Sequence, residues 1–395
     1  MTSVDDLIKT HMPELIRLRH EIHQHPELGY EEHGTAQRIV DALAEIDDLD
    51  IRTGVAETGV VVTLGANKKA PMVALRADMD ALAIQETSGL PYASCVPGKM
   101  HACGHDGHTT CLVGAVKVLA MLGDQLPGPV RFLFQPAEEG GGGGGRMCEA
   151  GVLDGVRAIF GLHGWPYLSQ GELGVRTGPF LASSDRFRIV VEGQGAQAAF
   201  PHQGVDPIPI AAQIVLALQT IASRHTDPLD AVVVTVAQMH GGTADNIISA
   251  RMELRGTLRS LQATTRTSAM HHIQQIAEGI ATANGARADV TITKGTPVLS
   301  NNPFATQFGF ETAASASLAP VDIDPVMGGE DFAFYAEQIP AAFFALGVRP
   351  PGRDAYPALH QPDYDFPDDA IAAGVALHVQ LVRRFWSDAP PALTG

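Results

Sequence analysis

The residues best suited to chemistry gather in a few short segments. Residues 100–108 read MHACGHDGH and carry Cys103 and His105 beside His101, Asp106 and His108. A thiolate and imidazoles at such short spacing can wrap a borderline-soft divalent cation. The same residues can also form a polar helix start, with Asp106 as its cap and the histidines in water. Glu138 and Glu139 are adjacent carboxylates that follow an apolar run. A cation on one of them relieves their repulsion and lost solvation, which leaves the other free to accept a proton from water. The ordinary alternative is an exposed acidic turn. His163 and His360 stand alone in sequence, and a lone histidine is commonly a satisfied polar residue. Asp78 and Asp80, in RADMD, can orient a ligand or simply pair with Arg76 or cap a helix. The paired thiolates of a structural zinc site are missing, and no G-x-S-x-G elbow accompanies Cys103.

What must position these residues is legible as a pattern of elements. Helical periodicity covers residues 7–24, 35–44, 108–122, 303–316, 330–338 and 368–385; short apolar runs at 59–64, 72–76, 130–134, 158–162 and 342–346 read as buried strands. Such alternation predicts an α/β unit with a mostly parallel sheet flanked by helices. In such sheets ligands bind beyond the carboxyl ends of the strands. Asp78 and Asp80 follow one strand, Glu138 and Glu139 the next, His163 a third, and His360 lies near the exit of the last, so the candidates converge on one rim. Residues 140–145, six glycines in a row, then read as a place of close backbone approach with free amides near a helix start.

Residues 183–296 have a different rhythm. Strand patterns at 186–192, 231–239, 251–259 and 288–294 alternate with helices at 206–225 and 264–284. The order β-α-β-β-α-β is that of a ferredoxin-like sandwich. It predicts an inserted α+β domain at 183–296, with 1–182 and 297–395 forming the other domain.

Composition narrows the function. The chain has 395 residues and a net charge of −17, with 45% hydrophobic and 18% charged residues. Such a chain can bury a sizeable core, and its charge opposes phosphate backbones, so a nucleic-acid partner is not expected. No run of apolar residues is long enough for a membrane span, and the charged N-terminal segment lacks a signal-peptide core, which makes the cytoplasm the expected location.

The segments LRHEIHQHPELGYEE, ALRADMDALAIQE, GKMHACGHDGH, FLFQPAEEGGGG, FGLHGWP, GVDPI, GGTADNII, GGEDFAFY and LHQPDYDF together resemble the hippurate hydrolase and N-acyl-amino-acid amidohydrolase family, a branch of the two-metal aminoacylase and carboxypeptidase group. The resemblance runs from about residue 17 to 366. It implies that Cys103, His105, Glu139, His163 and His360 bind two divalent metal ions, of zinc, manganese, cobalt or nickel type. It implies that Glu138 is the general base and that Asp80 supports it. The implied substrate is a small N-acyl amino acid, hydrolysed to an amino acid and a carboxylic acid. A carboxypeptidase, or a biosynthetic N-acetyl deacetylase, would share the architecture. The inserted domain would be a lid and the surface through which a homodimer or higher homo-oligomer forms. Asn246 falls where that lid is expected to hold substrate, whereas Arg255 and Arg259 only share a lid strand. One position departs from the family pattern: Gln197 stands where relatives carry a histidine that supports the oxyanion. Gln197 can donate a hydrogen bond but carries no charge. Either it serves as a neutral donor, or His202 substitutes, or turnover is impaired and the protein is a metal- or ligand-binding homologue.

Overall fold

The computed structural model describes residues 3–394. The chain forms two compact units, Met1–Gly178 with Ser300–Asp324 and Asp331–Gly395, and Pro179–Leu299 with Pro325–Glu330.

The larger unit is built on an eight-stranded sheet in the order Leu49–Val55, Gly59–Leu64, Val130–Gln135, Met72–Asp78, Val156–Ser169, Ala341–Arg349, Glu172–Val175, Ala319–Asp322. The four central strands are mutually parallel. The expectation of a mostly parallel sheet holds for this centre, but the sheet is mixed. Leu49–Val55, Gly59–Leu64 and Val130–Gln135 pair antiparallel in succession, as do Ala341–Arg349 and Glu172–Val175. Gly59–Leu64 and Met72–Asp78 are buried along nearly their whole length, which is why they read as apolar runs rather than alternations. The helix His105–Met121 is buried almost all round. It packs against the helices Val4–Gln24 and Asp368–Asp388 and on the strand Met72–Asp78, so its apolar residues do not form a stripe.

Two expected elements are shorter than their patterns. The helix expected over 330–338 is a single turn, Ala333–Ala336. The helix expected over 206–225 ends at Leu218 and is followed by a wider turn at Ile221–His225. There, side-chain hydroxyls of Thr220 and Thr226 bond the carbonyls of Ala217 and Ile221 and compete with regular helix.

The smaller unit holds a four-stranded antiparallel sheet ordered Val232–Gly241, Arg251–Ser260, Ser183–Glu192, Arg287–Thr296. This is the ferredoxin-like strand order. Phe187, Ile189 and Val191 on one strand and Met252, Leu254 and Leu258 on its neighbour point to one face. There they pack against Ile210, Ile214 and Leu218 of one helix and Ala269, Ile273 and Ala277 of the other. The short return 325–330 joins this unit through Ala182, whose amide donates to the Gly328 carbonyl. Among the described residues no helix is long and apolar enough to cross a membrane.

Candidate active site

The strand Met72–Asp78 lies between Val130–Gln135 and Val156–Ser169, and the carboxyl ends of these three strands carry most of the candidate residues. His163 is not beyond its strand, as the apolar run suggested, but inside it. Pairing with Met72–Asp78 stops at Gly161, opposite Arg76, whereas pairing with Ala341–Arg349 continues past His163. The strand therefore overruns one neighbour, and His163 stands at the rim while still hydrogen-bonded on its other side. His360 is farther from its strand than expected. It lies in the loop between Ala341–Arg349 and Asp368–Asp388, with a left-handed backbone (φ 65°) and its amide on the Ala102 carbonyl at 2.8 Å.

Six candidates meet in overlapping groups whose ligand atoms lie within 4.8 Å of one another: Cys103, His105 and His163; Cys103, Glu139 and His360; His105, Glu138 and Glu139. Cys103 Sγ is 3.3 Å from His163 Nε2, and His360 Nε2 is 3.1 Å from Glu139 Oε1. The ring orientations suit ligation. His163 Nδ1 donates to the Gly164 carbonyl, leaving Nε2 as the lone-pair nitrogen toward Cys103. His105 Nδ1 faces Asp80 Oδ1 at 3.2 Å, and its buried Nε2 has no hydrogen-bond partner.

The electrostatics of this cluster fit a cation. Burial, then Glu139, Glu138 and Asp78, push the Cys103 thiol well above its usual range. Burial opposes a charge on His105, but Asp78, Asp80 and Glu139 outweigh it and raise that ring to about 10. Three carboxylates thus draw positive charge to this ring, with Asp78 Oδ2 3.8 Å from its Nε2. Burial, then His108, lowers His163 far enough to keep it neutral, as a ligand must be. Sulfur, imidazole and carboxylate together suit zinc, manganese, cobalt or nickel.

Other residues of the 100–108 segment do different work. His108 is near His105 and Asp78, but both its nitrogens are used: Nδ1 donates to Asp78 Oδ1 and Nε2 accepts the Gly164 amide, each at 2.7 Å. Asp106 does not cap the helix. It accepts from Arg19 at 3.1 Å and from His23 at 2.9 Å in a fully buried group. His101 is buried with neither nitrogen hydrogen-bonded, and burial lowers it to about 3.

The Glu138–Glu139 pair is set from behind. Asp80 Oδ1 accepts the Glu138 amide at 3.0 Å and Asp80 Oδ2 the Glu139 amide at 2.9 Å. Glu138 Oε1 in turn accepts the Asp331 amide at 3.3 Å. Asp331 also binds Arg76 at 2.9 Å, Gln135 at 2.7 Å and the Gly144 amide at 2.8 Å. The glycine run gives the expected close approach and helix start: the helix Gly143–Glu149 begins inside it, and a Cβ on Gly143 would fall 1.7 Å from the Pro136 carbonyl oxygen. Its amides are not free as expected, because those of Gly140, Gly143 and Gly144 donate to the Glu138 carbonyl, the Ala137 carbonyl and Asp331. Asp331 and Glu32, which binds the Ala137 amide, were not singled out as residues from the sequence. Their only signal was membership of GGEDFAFY and LGYEE.

Gln197, Asn246 and His202 lie in the smaller unit and near one another. Gln197 pairs with Ile247 across a two-residue ladder, the Asn246 carbonyl accepts the Ala198 amide at 2.9 Å, and His202 sits in the turn Pro201–Gln203. All three are exposed. Arg255 is engaged with Glu253 at 2.6 Å and Arg259 with the Met327 carbonyl at 3.2 Å.

Comparison with known proteins agrees with this architecture. Residues 74–384 match the model of peptidase family M20/M25/M40. The chain is 41% identical to N-acetyl-L-cysteine deacetylase of Bacillus subtilis, over 91% of this chain and 85% of that protein. It is 40% identical to IAA-amino acid hydrolase ILR1-like 4 of Arabidopsis thaliana, over 94% and 85%. It is 37% identical to thermostable carboxypeptidase 2 of Saccharolobus solfataricus, over 94% and 95%. Among solved structures, a Bacillus subtilis protein described as a dinuclear metal binding peptidase of the M20 family superposes with a TM-score of 0.84 at 36% identity, over 95% of this chain and 98% of that one. The chain belongs to peptidase family M20/M25/M40 and is a hydrolase of that family.

Proposed function

We propose that the protein hydrolyses the amide bond of N-acyl amino acids of the hippurate or N-acetyl type, using two divalent metal ions held by Cys103, His105, Glu139, His163 and His360. The observation that carries this reading is the placement of Glu138. Its carboxylate shares a group with His105 and Glu139, while its own amide is fixed by Asp80. When bound, the cations supply Lewis acidity toward a carbonyl oxygen and make water more acidic. Glu138 accepts the proton of the attacking water as its oxygen bonds the acyl carbon. The same carboxyl returns that proton to the nitrogen as the C–N bond breaks, releasing an amino acid and a carboxylic acid. Asp80 keeps Glu138 and Glu139 aimed through their backbone amides, so one carboxylate is available as base and its neighbour as ligand. In the same reading Gln197, Asn246 and His202 serve substrate or oxyanion, and the smaller unit pairs two copies of the chain.

Similarity to deacetylases, conjugate hydrolases and carboxypeptidases supports the reaction class and leaves the acyl group to experiment. The test is amino-acid release from hippurate, N-acetyl-L-cysteine, an IAA–amino acid conjugate and an N-blocked dipeptide, with protein loaded with manganese or zinc. The reading expects chelator-sensitive turnover of an N-acyl amino acid. Preference for the blocked dipeptide would make it a carboxypeptidase; no turnover by folded, metal-loaded protein would contradict it.

A further inference from the structure

The N-terminal segment LGYEE is part of the sequence pattern, yet none of its residues belongs to the metal cluster. Its neighbours explain its presence. Ala137, immediately before the proposed base, has a left-handed backbone with φ 51°, a conformation that alanine rarely adopts without support. The residues around it supply that support. The Ala137 amide donates to Glu32 Oε1 at 2.8 Å, and Thr58 Oγ1 donates to Glu32 Oε2 at 2.5 Å. Glu32 is fully buried. Gly29 and Gly141 close in on Ala137 so tightly that a Cβ on either would lie 2.9 or 2.5 Å from the Ala137 Cβ. Tyr30 Oη donates to the Gly141 carbonyl at 2.7 Å.

Three consecutive amides, those of residues 137, 138 and 139, therefore each end on a carboxylate: the first on Glu32, the next two on Asp80. Glu32 does not owe its burial to capping. It sits at the N-cap of the helix His33–Leu43, but its side chain makes no capping hydrogen bond. We infer that Glu32 is a positioning residue for the reaction: by holding the Ala137 amide it keeps the chain turned so that Glu138 projects into the metal cluster and both following amides reach Asp80.

This inference rests on Glu138 being the general base, and its test separates the two. The variants are Glu32→Ala, which removes the acceptor, and Glu32→Gln, whose amide oxygen can still accept from Ala137 while its nitrogen donates to Thr58. The first readout is hydrogen exchange of the amides of residues 137–139, which needs no substrate. Glu32→Ala should speed exchange there and Glu32→Gln should leave it near wild type. The second is kcat and KM on whichever N-acyl amino acid the wild type cleaves, with metal content measured alongside. Glu32→Ala should lower kcat by about 10²-fold, the scale of an ångström-sized misplacement, with KM and bound metal nearly unchanged, and Glu32→Gln should restore most of it. Unchanged exchange and kcat in Glu32→Ala would overturn the inference. So would a kcat loss that tracks lost metal, or that Glu32→Gln fails to relieve. If the wild type turns over nothing, the proposed activity fails while the exchange result still decides the role of Glu32.

Discussion

The Glu138 backbone amide donates to the Asp80 carboxylate at 3.0 Å, and that bond ties the segment just beyond one central strand to the segment just beyond its neighbour. The second oxygen of Asp80 takes the Glu139 amide in the same way. A carboxylate is needed because both partners are donors. Asp80→Asn would turn one oxygen into an NH₂ group facing an N–H, leaving a buried donor without an acceptor, which costs about 1–3 kcal/mol. We expect Asp80→Asn to lower kcat nearly as far as Asp80→Ala, by about 10²-fold. Steady-state kinetics on the two variants check this; wild-type turnover by Asp80→Asn would show that the amides need no anionic acceptor.

The fully buried pair of Arg19 and Asp106 anchors the metal-loop helix to the N-terminal helix. Arg19 also reaches Asp365 at 2.9 Å and Asp368 at 2.7 Å, and His23 shares with Arg19 the same Asp106 oxygen, Oδ2. Removing one partner of a buried pair leaves an uncompensated charge. Asp106→Asn should destabilise the fold by about 3–5 kcal/mol, measured by urea denaturation. A loss below about 1 kcal/mol would mean that Asp365 and Asp368 suffice for Arg19.

His378 gives the fold an acid limit. It lies in the helix Asp368–Asp388 with both ring nitrogens buried and unpartnered, and burial, then His108, lowers it to about 3. Between the ordinary histidine value near 6.5 and about 3, the unfolded chain takes up a proton that the folded chain refuses. Stability from this group is therefore complete above about pH 6.5 and falls with pH, by up to about 1.4 kcal/mol per unit. His378→Leu should flatten that slope. Unfolding free energies at pH 5 and pH 7 test it, and an unchanged difference would contradict it.

Much of this architecture is legible in the sequence, and the exceptions have physical causes. Apolar runs such as Gly59–Leu64 are buried on both faces and stand out. The outer strand Leu49–Val55 is half exposed and Glu172–Val175 has only four residues, so neither leaves a pattern. Cys103, His105, Glu138 and Glu139 announce themselves by clustering in sequence, and the structure brings them together with His163 and His360. Glu32 and Asp331 do not, because each works on partners more than a hundred residues away, Ala137 for one and Gln135 for the other. His108 misleads in the opposite sense: it looks like a ligand, but the Gly164 amide and Asp78 occupy its two nitrogens.

Gln197 marks the departure from the family pattern. If its side-chain amide is the oxyanion donor, Gln197→Ala should lower kcat by roughly 10²–10³-fold, as loss of one such donor does elsewhere, with metal content unchanged. If His202 substitutes, His202→Ala will carry that loss instead and Gln197→Ala will be nearly silent. Kinetics of the two variants side by side distinguish the donors.

The central claim is that Glu138 moves the proton while its neighbours hold the metals, and Glu138→Gln tests it most directly. The side chain keeps its size and its oxygen acceptor for the Asp331 amide but can no longer take a proton. Metal content and turnover should be measured on the same preparation. The account predicts two metals per chain, as in wild type, with turnover of the N-acyl amino acid lost. Turnover near the wild-type rate in fully loaded Glu138→Gln would contradict it.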